Sequence, residues 1–196
     1  GSTNGKLTIT VYKVQKSDLS LSVGNVTYNG RTYNTIKVGY KKNYNYKINY
    51  TLEKVVVENG AETRKSVTLD DIKDAGTYVF TIGEQNWSNE YDFSDVVDDE
   101  LYFVIYPFEA KEADITWNTT EYVLTNGNKM NVPVSFSFKY KSGQLTETIP
   151  VTDPCVVCNQ DISDGYVAGI EYIFTVDADE FAKHHPNFRL ENDLSY

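Results

Sequence analysis

Two cysteines and two adjacent histidines are the residues in this sequence whose types and spacing could do chemistry. The segment PCVVCN (154–159) contains Cys155 and Cys158, at a spacing used by redox pairs, zinc half-sites and local disulfides. A zinc site could take two further ligands from His184 and His185, although adjacent side chains of an extended chain point in opposite directions. A redox pair needs a helix N-terminus in a βαβ setting, which the sequence does not supply. We therefore predict a surface-loop disulfide, or two free thiols, and no metal ligand.

Recognisable catalytic motifs are absent from the sequence. It contains no Gly-x-Ser-x-Gly segment, no phosphate-binding loop and no His-Glu-x-x-His pair, so no nucleophile has an evident base. Carboxylate pairs do occur, but 28 acidic residues among 196 produce such pairs by chance. We predict that the chain is not an enzyme, has no catalytic residues and uses no cofactor.

Aromatic side chains in polar segments favour a binding function instead. Sugar rings stack their apolar faces on such side chains, while neighbouring amides and carboxylates bind the hydroxyl groups. Trp87 lies in the polar segment GEQNWSNEY, and VGYKKNYNYKINY (38–50) clusters Tyr40, Tyr44, Tyr46 and Tyr50, of which alternation places the last three on a common side. We name Trp87, Tyr40, Tyr44 and Tyr46 as candidate ligand contacts. Packing in the core or cover of a sheet edge is the alternative role for the tyrosines.

The charge of the chain limits its partners. The 28 acidic and 18 basic side chains give a net charge of −10, which repels phosphate backbones and argues against nucleic acid. Dense acidic patches occur at 95–100 and 177–180, where calcium binding is the alternative to a role in solubility, but neither patch has a calcium-loop pattern. No apolar run approaches the ~18 residues of a membrane helix, so we predict no direct membrane insertion.

Composition and periodicity predict a β protein. Sixteen Tyr and nine Phe accompany many β-branched residues, and these side chains suit half-buried sheets. Asn59-Gly60 predicts a hairpin and Ser142-Gly143 a second turn. Short helical turns are predicted at 68–74 and 177–185, where Asp can cap a helix. Alternating apolar residues predict strands at 6–14, 19–23, 46–58, 64–69, 76–82, 100–107 and 131–140.

Two similar segments indicate a duplication. DAGTYVFTI (74–82) and VAGIEYIFTV (167–176) both place Ala-Gly before alternating aromatic and β-branched residues, which predicts a glycine turn followed by a strand in each. The two segments are too far apart for a hairpin. PFEAKEA (107–113) interrupts the strand pattern and predicts a short, stiff linker. We predict domains at 6–108 and 112–196, the second either cut short at its C-terminal end or completed by an edge strand from the next domain of a longer protein.

The order of these motifs resembles the tandem Ig-like repeats of large bacterial surface proteins, the MBG and YDG kind. The resemblance covers most of both halves, with an aromatic-Asn-Gly turn, an Ala-Gly-x-Tyr strand and a late Asn-aromatic pair. The matching residues are Tyr28 with Asn29-Gly30, Tyr122 with Asn126-Gly127, Gly76 with Tyr78, Gly169 with Tyr172, Asn187-Phe188 and, loosely, Asn89 with Tyr91. The resemblance implies an all-β fold of two tandem Ig-like β-sandwich domains in an extracellular setting.

These expectations lead to one functional hypothesis and two alternatives. The chain is predicted to be a non-catalytic extracellular stalk, spacer or adhesin segment of a longer bacterial surface protein. Its predicted partners are neighbouring domains of the same chain, with a host or dietary glycan or a surface protein as the further candidates. The first alternative is a carbohydrate-binding module that uses Trp87 and the tyrosines. The second is an accessory domain of a secreted enzyme.

Overall fold

The fold consists mainly of β-strands, which confirms the predicted all-β class at this level. The computed structural model describes residues 4–86, 91–119 and 129–196, and these contain one α-helix and several small sheets. The chain forms two compact units, one of Gly1–Val26 with Thr32–Ile105 and the other of Thr27–Arg31 with Tyr106–Tyr196. No helix among the described residues is both long and apolar enough to cross a membrane.

The strands are numbered in chain order. The first nine are β1 (Tyr12–Lys13), β2 (Leu19–Leu21), β3 (Val26–Thr27), β4 (Val38–Tyr40), β5 (Tyr50–Glu58), β6 (Ala61–Ser66), β7 (Gly76–Ile82), β8 (Tyr91–Asp92) and β9 (Glu100–Tyr106). The others are β10 (Phe108–Ala110), β11 (Thr116–Asn118), β12 (Lys129–Met130), β13 (Ser135–Tyr140), β14 (Leu145–Pro150), β15 (Val156–Cys158), β16 (Tyr166–Val167), β17 (Phe174–Val176), β18 (Phe188–Leu190) and β19 (Leu194–Ser195). Helix α1 spans Ala178–His184, and short 3-10 turns span Lys16–Asp18, Leu69–Asp71, Ser94–Val96 and Glu112–Asp114.

A five-stranded sheet in the order β3-β9-β7-β5-β6 dominates the first unit. Strand β7 pairs antiparallel with β5 on one side and β9 on the other, and its Tyr78, Val79 and Phe80 are fully buried. The β5–β6 hairpin turns at Asn59 and Gly60, both with positive φ, which confirms the predicted turn. The alternating residues of β5 and β7 form strands as their periodicity predicts, whereas β6 begins and ends three residues before the strand predicted at 64–69.

The strand predicted at 6–14 is wrong for most of its length. Only Tyr12–Lys13 is a strand, and it pairs in parallel with Tyr91–Asp92. Leu7 and Ile9 are more than four-fifths exposed. Alternation alone cannot create a strand, because a strand also needs a partner for its backbone groups and a surface that buries its apolar face.

Aromatic residues fill much of the core of the second unit. The hairpin of β13 and β14 carries Phe136 and Phe138 inward, where both contact Phe181 of α1. Phe188 of β18 packs edge-on against Phe138, with ring centroids 5.2 Å apart, and contacts Tyr140 at the same distance. Such edge-to-face contacts stabilise aromatic pairs beyond the burial of their area.

The segment predicted as a linker at 107–113 contains a strand. Phe108–Ala110 pairs in parallel with Phe188–Leu190, which joins the beginning of the second unit to a segment near its end. The strand predicted after the glycine of VAGIEYIFTV is shorter than expected, because only Phe174–Val176 is a strand there and Tyr172 lies outside it. Gly169 takes a positive φ of 80°, which confirms the predicted glycine turn.

Helix α1 begins where the sequence predicts a helical turn. The side chain of Asp177 accepts a hydrogen bond from the backbone N–H of Glu180 at 2.8 Å, which confirms the predicted aspartate cap. The backbone N–H of His185 donates to the carbonyl of Phe181 at the other end. These two contacts fix the ends of α1 and, with them, the position of His185.

Candidate functional site

A cavity of about 610 Å³ in the first unit is lined by three tyrosines, Tyr44, Tyr46 and Tyr50. The cavity also presents the amide side chains of Asn45 and Asn49, so its wall combines aromatic rings with hydrogen-bonding groups. This mixture suits a polar ligand that has an apolar face. Further residues that line it are Ile36, Lys37, Val38, Lys47, Ile48 and Leu69.

Hydrogen bonds and ring packing hold two of these tyrosines in place. The hydroxyl of Tyr44 lies 3.0 Å from Oγ of Ser20 and donates to the carbonyl of Leu21 at 3.3 Å. The ring of Tyr50 packs against Phe80, with centroids 5.1 Å apart. Tyr46 is 41% exposed. The cavity therefore has fixed rings and one accessible ring.

The backbone beside the cavity is held by a glutamine. Nε2 of Gln85 donates to the carbonyl of Asn49 at 2.9 Å, and its Oε1 accepts from the backbone N–H of Asn49 at 2.8 Å. Nδ2 of Asn49 donates to the carbonyl of Glu84 at 2.9 Å. Because its backbone groups and its amide are already paired, Asn49 is a rigid part of the wall.

The structure separates the three tyrosines among the four candidate ligand contacts. Tyr44 and Tyr46 line the cavity, whereas Tyr40 is buried and packs against Tyr91 and Phe93 instead. Trp87 lies outside the described residues. The cavity is also lined by Tyr50, which the alternation places on the same side as Tyr44 and Tyr46.

A second cluster of chemically capable side chains lies in the second unit. Asp153, Cys155 and His185 place one ligand atom each within 4.8 Å of one another. Nε2 of His185 lies 3.1 Å from Oδ2 of Asp153, and Oδ1 of Asp153 accepts from the backbone N–H of Cys155 at 3.0 Å. Cys155 is 3% exposed. We refer to these three residues as the Asp-Cys-His cluster.

Local structure brings this cluster together. Asp153 and Cys155 occupy the turn between β14 and β15, and His185 follows the last residue of α1. The imidazole of His185 stacks on the ring of Phe181 with centroids 4.8 Å apart. Nothing in the sequence pairs residues 32 positions apart, so the contact follows from the packing of the helix.

Burial and hydrogen bonding shift the pKa values of the cluster. Burial and the hydrogen bond to Asp153 raise the pKa of the Cys155 thiol to about 12. Burial opposes ionisation of Asp153, but hydrogen bonds from Cys155 and His185 outweigh it and keep the pKa of Asp153 below its ordinary value. The pKa of nearby Glu147 is raised by burial, which the charge of His185 partly offsets.

The order of these contacts does not suit a cysteine nucleophile. Nucleophilic cysteine needs a lowered pKa and a histidine that receives its proton. Here the carboxylate of Asp153 lies beside both other groups, and the thiol of Cys155 keeps its proton. The arrangement instead resembles a set of ligands for a divalent metal ion, since it combines sulfur, nitrogen and oxygen donors.

The other residues of the predicted zinc alternative lie in different surroundings. Both cysteines are free thiols in the structure, so no disulfide joins them there. Cys158 packs against the buried group of Val134, Val151 and Phe174. His184 has its Nδ1 2.9 Å from the carbonyl of Glu180. Asp153, which precedes the pair in TDPC, is the ligand-type residue that the sequence interpretation missed.

Several residues of the acidic patches have protein partners. Asp95 forms an ion pair with Lys13 at 3.2 Å, and Glu100 pairs with Arg64. In the second patch Asp177 caps α1. Within the described ranges the Asp-Cys-His cluster is the one group of three or more such residues that could hold a metal ion, and neither acidic patch contributes to it.

Comparison of the chain with protein families, curated proteins and solved structures finds no match.

Proposed function

We propose that the chain is a non-catalytic pair of Ig-like β-sandwich domains from a large bacterial surface protein, in which it acts as an extracellular stalk, spacer or adhesin segment. Neighbouring domains of the same protein are its proposed partners. The MBG- and YDG-like motifs support the family, and the strand-rich fold in two compact units supports the architecture. The raised pKa of the Cys155 thiol supports a non-catalytic role.

One observation carries the mechanical part of this proposal. In each unit an early strand pairs in parallel with a late one: Tyr12–Lys13 with Tyr91–Asp92, and Phe108–Ala110 with Phe188–Leu190. Tension applied to the start of one strand and the end of its parallel partner slides the two past each other. The hydrogen bonds between them are then loaded together instead of opening one by one. Such pairs resist extension, which a stalk requires.

Hydrogen bonds extend the parallel pairs beyond the strands themselves. The backbone N–H of Val14 donates to the backbone carbonyl of Asp92 at 2.9 Å, and the backbone N–H of Glu191 donates to the backbone carbonyl of Ala110 at 3.0 Å. The backbone N–H of Phe108 donates to Asn187 at 2.9 Å. Each short pair therefore has more connections than its strand length indicates.

Single-molecule pulling from the two chain ends tests the proposal. Glu191→Pro removes the backbone donor to Ala110, and Glu191→Ala is the matched control because it keeps that donor. We expect separate unfolding events for the two units, with a lower unfolding force for the second unit in the proline variant alone. Extension of the wild-type chain without force peaks, or equal forces for all three proteins, would contradict the mechanical role.

A carbohydrate-binding function is the second candidate, and the tyrosine-lined cavity favours it. Tyr46 offers an accessible ring beside the fixed rings of Tyr44 and Tyr50, and amides flank all three. Titration with a panel of polysaccharides is the test. If binding occurs, Tyr46→Ala should weaken it by roughly two- to tenfold, the equivalent of one aromatic contact. Tyr106→Ala, which removes an exposed tyrosine outside the cavity lining, is the control.

The two outcomes of the sugar titration separate the candidates. Binding that Tyr46→Ala weakens and Tyr106→Ala preserves would favour a carbohydrate-binding module over a pure spacer. Absence of binding across the panel, together with high unfolding forces, would favour the spacer.

A further inference from the structure

We propose that Asp153, Cys155 and His185 form a binding site for a single Zn²⁺ ion. The ligands would be Oδ2 of Asp153, Sγ of Cys155 and Nε2 of His185, and water would fill the fourth position. This inference concerns a site in the second unit and does not depend on the proposed mechanical or carbohydrate-binding function.

The spacing of the ligand atoms fits a small tetrahedral ion. Bond lengths of Zn²⁺ to sulfur, nitrogen and oxygen place the ligand atoms about 3.3–3.6 Å apart. The three atoms of the cluster already lie within 4.8 Å of one another, and Nε2 of His185 is 3.1 Å from Oδ2 of Asp153. Side-chain movements of about one ångström or less would therefore complete the tetrahedral geometry, without a change in the backbone.

The chemical types of the donors select the metal. Sulfur and imidazole nitrogen are poor ligands for Ca²⁺ and Mg²⁺, which prefer oxygen, but they are common ligands of Zn²⁺. On binding, the Cys155 thiol gives its proton to solvent and forms the Zn–S bond, while neutral His185 keeps a proton on Nδ1. One thiolate and one carboxylate then balance the two positive charges of the ion, so the largely buried site becomes neutral.

The surroundings hold two of the three ligands in orientation. Oδ1 of Asp153 accepts from the backbone N–H of Cys155, which leaves Oδ2 directed towards His185. The ring of His185 stacks on buried Phe181. Supporting contacts of this kind fix the direction of metal ligands and raise affinity.

The three ligands are buried to different degrees, which protects the site and still lets an ion reach it. Cys155 is buried, whereas the side chains of His185 and Asp153 are 20% and 16% exposed. An ion can therefore reach the cluster from the side of these two residues, where the water ligand would also lie.

Calorimetric titration of the reduced chain with Zn²⁺ tests the site. We expect one ion per chain in the wild type. Cys155→Ser and His185→Gln should each weaken binding by more than the ~10–100-fold that changes in supporting residues cost. Cys158→Ser and His184→Gln are the matched controls, because they remove the neighbouring residue of the same type and should leave affinity unchanged.

Titration with Co²⁺ gives a second, spectroscopic result. Co²⁺ in a tetrahedral site with one thiolate should produce visible absorption and a sulfur-to-metal charge-transfer band. Cys155→Ser should remove the charge-transfer band. Thermal melting in chelator establishes that each variant folds. If Cys155→Ser does not fold, the comparison of His185→Gln with His184→Gln and the wild-type Co²⁺ spectrum still decide the question.

Three results would overturn the proposal. The wild type could show no stoichiometric binding of Zn²⁺. Cys155→Ser and His185→Gln could bind as tightly as the wild type. Finally, Cys158→Ser and His184→Gln could abolish binding, which would assign the ion to the two-cysteine, two-histidine set instead.

Discussion

The ring of Tyr44 lies so close to Gly39 that a Cβ at position 39 would be 2.3 Å from Cδ1 of Tyr44 and 3.1 Å from the carbonyl of Asn43. Glycine is therefore required here by the approach of the ring and not by its backbone conformation. The contact matters because Tyr44 is part of the cavity wall.

Substitution of this glycine should disturb both stability and the cavity. Gly39→Ala forces the ring of Tyr44 to move against its hydrogen bonds to Ser20 and Leu21, and such overpacking costs about 1–3 kcal/mol. Urea unfolding should show this loss as a lower free energy of unfolding. Gly24→Ala is the control, because no atom lies within 4 Å of the place that its methyl group would take and its φ is not positive. Equal stability of the two variants would contradict the close packing of Tyr44.

Loss of the Asp153 carboxylate should destabilise the metal-free chain. Asp153→Ala leaves the backbone N–H of Cys155 and the imidazole of His185 without their acceptor in a largely buried place, at a cost of about 1–3 kcal/mol. Asp164→Ala, which removes the exposed ion pair with Lys129, should cost about 0–1 kcal/mol. Chemical denaturation in chelator measures both, and a similar small loss for both variants would show that the Asp-Cys-His cluster does not hold the helix to the turn.

The acid stability of the first unit should depend on Glu100. Its hydrogen bonds from Arg64 and Tyr102 lower the pKa of Glu100 from 4.5 to about 2. Because the folded pKa lies below the unfolded one, this stabilisation is complete above pH 4.5 and is lost as the pH falls towards 2. Glu100→Gln should therefore flatten the dependence of unfolding free energy on pH in this range.

Salt and a second variant provide the controls for that pH dependence. Added salt should reduce the effect of Glu100, because screening weakens interactions between exposed charges. Glu62→Gln changes an exposed carboxylate on β6, the strand that carries Arg64, and should preserve the wild-type slope. If Glu100→Gln and the wild type lose stability equally below pH 4.5, the pairing with Arg64 does not lower the pKa as described.

The two cysteines should differ in their reactivity. Alkylating reagents react with the thiolate, and the buried Cys155 has a pKa of about 12, whereas Cys158 is partly exposed. In the native chain we expect modification at Cys158 first, with Cys155 labelled only after unfolding. Peptide mass mapping gives the order. A mass increase of about 2 Da on reduction of the intact chain would instead reveal a disulfide.

The interpretations that depended on neighbouring residues agree best with the structure. Asn59-Gly60 makes the predicted hairpin because both residues tolerate positive φ. Asp177 caps α1 because its side chain reaches a nearby backbone N–H. The strands predicted at 76–82 and 100–107 form because their alternating residues find partners on both sides.

The wrong predictions share a physical cause. Among the described residues, the segment 6–14 pairs only near its end, where Tyr12–Lys13 and the backbone N–H of Val14 meet Tyr91–Asp92, and Leu7 and Ile9 stay exposed. After the predicted turn at Gly169, VAGIEYIFTV is a strand only at Phe174–Val176, where it pairs with β15 and β19. Periodicity describes which side chains could share a face, but pairing and burial decide whether that face exists.

The sequence by itself determined the all-β class, the positions of several turns and the cap of the helix, because these depend on conformational preferences within a few residues. The tertiary structure alone decided which tyrosines line a cavity, which strands pair in parallel and that Asp153 meets His185. Such contacts join residues far apart in the chain, and their free energy comes from packing of the whole unit, which no local pattern encodes.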